Sequence, residues 1–108
     1  MSIVYVSHKY DGKKEEIREA TRITYNLQLK DLLNHYYCPL VAIPWLAYKD
    51  ISDDDKTALK LDMLTVCDSI LIASDISEDM KDEIEFAKLV KMEVLRLEED
   101  GTIRPFKE

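Results

Sequence analysis

The chain is predicted to fold as a single α/β domain over residues 1–108, in three layers, with a parallel four-stranded sheet flanked by helices. Two observations carry this expectation. The opening run Ile3 to Val6 is continuously apolar rather than alternating, as suits a strand covered on both faces. Three longer stretches with helical periodicity separate the four strand segments, and strict strand–helix alternation calls for right-handed crossovers and a parallel sheet.

The first strand is Ile3-Val4-Tyr5-Val6, ended by Asp11-Gly12. The first helix is expected from about Lys13 to Asn34, because Ile17, Ala20, Thr24 and Leu27 recur at three- and four-residue steps. His35-Tyr36-Tyr37 is read as the cap of its end. Pro39 to Ile43, closed by Pro44, is the second strand, and Trp45 to Asp50 an aromatic-rich loop. Ser52 followed by three aspartates places a cap and negative charge at the start of a second helix, which runs to about Cys67. Ser69 to Ala73 is the third strand. Ser77 caps a third helix running to about Lys91, with Glu78 and Asp79 in its first turn. Glu93 to Leu97 is the fourth strand, and the polar tail from Glu98 belongs to the surface. The expected strand order is 2-1-3-4, a flavodoxin/Rossmann-like arrangement.

Composition narrows the function classes. A net charge of −7 argues against a general nucleic-acid binder, which needs a basic face. Cys38 and Cys67 lie far apart in apolar settings with no Cys/His cluster, so they read as buried reduced thiols and no metal site is expected. No cofactor motif is present: neither a G-x-G-x-x-G fingerprint nor a P-loop occurs. No signal peptide opens the chain, and no apolar run approaches the ~20 residues that span a bilayer. The expectation is a cytoplasmic protein without membrane contact.

Ligands of such sheets bind at the carboxyl ends of the strands. That singles out the loops after the first three strands. The first loop, Ser7, His8, Lys9, Tyr10, Asp11 and Gly12, offers hydroxyls, rings, a glycine and lysines at a helix start, which suit a sugar or phosphate and equally suit a solvated turn. Trp45 and Tyr48 in the second loop can stack on a base, cover the core or form a subunit contact. The third loop and the helix behind it add Asp75, Ser77 and Met80. His8 and His35 are the only histidines, and no nucleophile elbow accompanies them.

The third helix holds the most informative residue. At about 100° per residue, Glu83 falls within the apolar arc of Ile84, Ala87, Val90 and Phe86, whereas Glu85 falls outside it. A carboxylate on the core side is costly unless it is paired or functional. It sits about two turns from the helix start, near the sheet's carboxyl edge. The alternative is a structural acid bonded to a hydroxyl such as that of Tyr5 or Tyr10. Asp62, between Ala58 and Val66 on the second helix, is a weaker case of the same kind.

Tyr5-Val6-Ser7-His8-Lys9-Tyr10, Cys67-Asp68-Ser69-Ile70 and, most specifically, Ile76 to Ala87 resemble the nucleoside 2-deoxyribosyltransferase-like superfamily, above all its small phage and bacterial members. That resemblance implies cleavage or exchange of the N-glycosidic bond of a nucleoside or nucleotide, as a hydrolase or transferase, usually in a homodimer or larger assembly. It assigns the nucleophile to a glutamate in a Glu-x-x-x-Ala step, which Glu83 and Ala87 match, and a positioning hydroxyl to Tyr5 or Tyr10. Catalytic members carry an aspartate eight residues before the one that opens the third strand. Here that position is Lys60, with Asp62 the nearest acid. Asp79 stands where small relatives tend to have glycine.

Two functions follow as expectations. In the first, Glu83 attacks C1′ of a nucleoside or nucleotide, with Tyr5 and Asp62 assisting and Ser7, His8, Lys9, Tyr10, Gly12, Trp45, Asp75, Ser77 and Met80 around the ligand. In the second, the same scaffold holds a nucleotide or nucleotide-derived signal intact, as a phage sponge for a defence signal would. Exposed Trp45, Tyr48, Tyr36 and Tyr37 are expected to form a symmetric subunit contact.

Overall fold

The computed structural model describes residues 2–42 and 52–107. The elements are β1 (Ile3–Ser7), α1 (Lys14–Lys30), β2 (His35–Tyr37), α2 (Pro39–Ala42), α3 (Asp53–Leu64), β3 (Ser69–Ile72), α4 (Glu78–Leu89), β4 (Glu93–Leu97) and β5 (Ile103–Pro105). They form one five-stranded sheet in the order β2-β1-β3-β4-β5. The first four strands are parallel, and β5 pairs antiparallel with β4.

Alternation along the strands divides the core in two. Val4, Val6, Leu71 and Ala73 pack with Ala20, Ile23 and Leu27 of α1. Tyr5, Ile70 and Ile72 point the other way, against Leu64 of α3 and Met80, Ile84 and Ala87 of α4. Residues 69–72 of β3 are all buried, which explains the unbroken apolar run at the sheet's centre.

The second strand differs from expectation. It is His35–Tyr37, the segment read as a helix cap, whereas Pro39–Ala42 forms a short helix. Proline has no N–H to give to a sheet ladder and is favoured at the first position of a helix. Helix α1 therefore stops at Lys30, and a turn built on Asp31 leads into β2. The Asp31 carboxylate accepts from the Leu33 N–H (3.1 Å), the Asn34 amide (2.8 Å) and the Tyr36 hydroxyl (2.8 Å). These bonds hold its carboxyl below the usual range.

This pairing also draws Tyr36 and Tyr37 inward. Tyr36 is only 8% exposed, and Tyr37 is half-buried with its ring 6.0 Å from that of Tyr5. Neither is the exposed aromatic expected there. Ile43, Trp45 and Tyr48 lie outside the described residues.

The tail is the other correction, since it supplies a fifth strand. Asp100-Gly101 turns the chain back, with Gly101 at φ 89°, a left-handed backbone that glycine adopts without strain. The Asp100 carboxylate accepts from the N–H and hydroxyl of Thr102, fixing the turn. Cys38 and Cys67 are both buried and unbridged. Among the described residues, no helix is long and apolar enough to cross a membrane.

Candidate functional site

Because β1 alternates, Tyr5 and Ser7 both face α3 and α4, two residues apart at the carboxyl end of the sheet. Helix α4 starts at that same edge and runs back down, which brings Glu83 opposite them. Glu83 is 3% exposed, while Glu85 lies in solvent. The Tyr5 hydroxyl donates to Glu83 Oε1 at 3.1 Å, and the Ser7 hydroxyl donates to Oε2 at 2.8 Å. Lys60 Nζ stands 4.0 Å from Oε1, its side chain 13% exposed.

The carboxyl of Glu83 is pushed above its ordinary range. Burial is the largest cause and Asp79 adds to it, while Lys60, Ser7 and Tyr5 pull the other way. The Tyr5 hydroxyl is pushed well above its usual range, first by burial and then by the Glu83 charge. It stays a hydrogen-bond donor, so Glu83 keeps two fixed donors and one cation. An acid held in this way can serve as a nucleophile or as an acid–base group.

Lys60 is the residue whose part the sequence reading missed. Thr57, Lys60, Leu61 and Leu64 are spaced as one face of α3, and that face turns inward. A lysine on that stripe, opposite a glutamate on the inner stripe of α4, was the available signal. Asp62 is exposed on the outer side of α3, away from Glu83, so a cation stands beside Glu83 where a second acid was expected.

The remaining candidates divide by location. The backbone N–H of Lys9 donates to the Ser74 hydroxyl (2.9 Å), which lies 3.5 Å from the sulfur of buried Met80, and this ties the loops after β1 and β3 together. Lys9 Nζ is 4.0 Å from exposed Asp75. Tyr10 packs on the α1 side of the sheet, away from Glu83. His8 is buried too, with Nδ1 2.8 Å from the Lys9 carbonyl and Nε2 3.6 Å from Glu19 of α1. Gly12 has φ 101° at the entry to α1, a conformation glycine allows. The turn there is closed by Glu16, which accepts from the Asp11 and Lys13 N–H groups. Ser77 begins α4, but its buried hydroxyl makes no cap bond and has no partner among the described residues. The Tyr37 hydroxyl is likewise buried without a partner. Trp45 lies outside the described residues.

Among the described residues no cluster of His, Cys, Asp and Glu is arranged to hold a metal ion. No protein-family model matches the chain, and neither a curated protein nor a solved structure does.

Proposed function

We propose that this protein binds a nucleoside, nucleotide or nucleotide-derived ligand at the carboxyl edge of its sheet and cleaves or transfers the N-glycosidic bond, with Glu83 as nucleophile. The observation that supports this most is a buried carboxylate with each oxygen held by a hydroxyl at the edge where such sheets take ligands. In the reaction, a Glu83 oxygen bonds to C1′ as the C1′–N bond breaks, and the electron pair leaves with the base, which takes a proton from solvent. Water or a second base then attacks C1′ and releases the carboxylate, as in a retaining glycosidase. Tyr5 and Ser7 orient the attacking group. The hydroxyls of Tyr37 and Ser77, without a partner among the described residues, are further groups for a polar ligand.

One observation favours a second reading, a module that holds the ligand without turnover. Lys60 occupies the position where the resemblance places a second acid, and it pairs with Glu83. Incubation with a panel of nucleosides, nucleotides and NAD, followed by chromatography, separates the two. Free base supports the enzyme, intact retained ligand supports the module, and neither result removes both. Native mass spectrometry of freshly purified protein names the ligand class if one co-purifies.

A further inference from the structure

The face of the sheet opposite Glu83 is covered by α1 and the four-residue α2, which leaves β4 half-covered there. A cleft of about 450 Å³ opens between α1, the loops after β1 and β3, and the β4–β5 turn. That volume falls in the ~300–1,000 Å³ range of small-molecule sites. Ile23, Leu27, Ala73 and Leu97 form an apolar floor, and most of the remaining lining is polar or charged.

At the loop end of the cleft the charges are matched. Lys9 Nζ stands 4.0 Å from Asp75, and Glu19 stands 3.6 Å from the ring of buried His8. Along the rest of the cleft they are not. Arg22, Asn26 and Lys30 recur every four residues on α1, so two cations and an amide line one wall. Glu98 and Glu99, at the end of β4, line the other. Arg96 joins that wall from between Leu95 and Leu97, which pack toward α1, so strand alternation turns its side chain toward the other face of β4. Among the described residues, none of Arg22, Lys30, Glu98 and Glu99 has an ion-pair partner. The two walls therefore carry opposite charge across an apolar floor without reaching each other.

We infer that this cleft binds a small zwitterion with an apolar side chain, a free amino acid or a short peptide. Its carboxylate lies against Arg22 and Lys30, its ammonium against Glu98 and Glu99, and its side chain on Ile23, Leu27 and Leu97. A plain anion would meet the two glutamates on a chain of net charge −7. A plain cation would meet Arg22 and Lys30. A ligand with both groups gives each wall charge-assisted hydrogen bonds. The site lies on the face of the sheet away from Glu83 and does not depend on the chemistry proposed there.

NMR titration of labelled protein with leucine and with leucyl-leucine tests it. At least one of the two should give saturable shifts of the Ile23, Leu27 and Leu97 methyl resonances, and the tighter one names the source. Isocaproate lacks the ammonium and isopentylamine lacks the carboxylate, and each should bind at least about tenfold more weakly. Arg22→Gln and Glu98→Gln should each weaken the zwitterion by a similar factor, with circular-dichroism melts showing that both variants stay folded. Absence of saturable shifts with either compound up to about 10 mM, tenfold above a millimolar Kd, overturns the inference. So does isocaproate, isopentylamine or AMP binding as tightly as the zwitterion, and so does an affinity that neither variant changes.

Discussion

At the scale of residues, the balance of forces on Glu83 sets what it can do. Burial raises its carboxyl, while Lys60, Ser7 and Tyr5 hold part of the charge in place. An acid whose folded value lies above its unfolded one makes the native state bind more protons in the interval between them. Stability therefore falls as pH rises from the ordinary carboxylate range through the raised value of Glu83, and then levels off. Asp31, held low, acts in the opposite sense and loses its contribution as pH falls. The difference in urea midpoint between wild type and Glu83→Gln isolates the first effect. It should grow in favour of the variant from acid to neutral pH, and a flat difference would contradict the burial argument. Lys60→Met tests the cation separately. With this ammonium neighbour gone, Glu83 should titrate higher still in a carboxyl-carbon NMR titration, and an unchanged midpoint would mean that the 4.0 Å pair carries no weight.

At the scale of elements, the central strand and the α1–β2 turn make contrasting predictions. Leu71 is fully buried between β1, β4 and α1, so Leu71→Ala should cost about 2–5 kcal/mol in denaturant unfolding. Tyr36→Phe removes one of the donors to Asp31 and should cost only about 1 kcal/mol, because the Leu33 and Asn34 bonds remain. What the sequence made legible follows the same division. β1 and β3 showed as continuous apolar runs because both of their faces meet helices, whereas β4, with Glu93 and Arg96 in it, is only partly covered. Glu83 stood out because one charge in an apolar arc has few explanations. β2 was misplaced by a few residues because the apolar run Pro39 to Ala42 looks the same in a short buried helix, and the burial of Tyr36 depends on a turn that Asp31 builds through space. β5 was missed because a three-residue exposed strand has no apolar signature, although Asp100-Gly101 marked its turn. Lys60 was not legible because Leu59, Met63 and Val66 also line up on one side of this helix, although Val66 proves exposed and Thr57, Lys60, Leu61 and Leu64 turn inward.

At the scale of the whole molecule, two cores share one sheet, with the buried β3 between them. Loss of either core exposes that strand, so unfolding should be one cooperative event. Far-UV circular dichroism and tyrosine absorbance, from rings such as Tyr5 and Tyr36 in the two cores, should give coincident urea transitions, and separated midpoints would show that the halves unfold independently. The two faces of the sheet differ in what they gather. One brings Tyr5, Ser7, Lys60 and Glu83 together at the carboxyl edge, and the other leaves the cleft beside α1. The central claim concerns the first face. Its most direct test is free base released from the nucleoside and nucleotide panel by wild type, Glu83→Gln and Glu85→Gln, assayed side by side. Wild type and Glu85→Gln should release base at similar rates, and Glu83→Gln should fall by at least ~10³, the scale of losing a covalent nucleophile. Similar release by both variants, or none by the wild type, would contradict the assignment of Glu83.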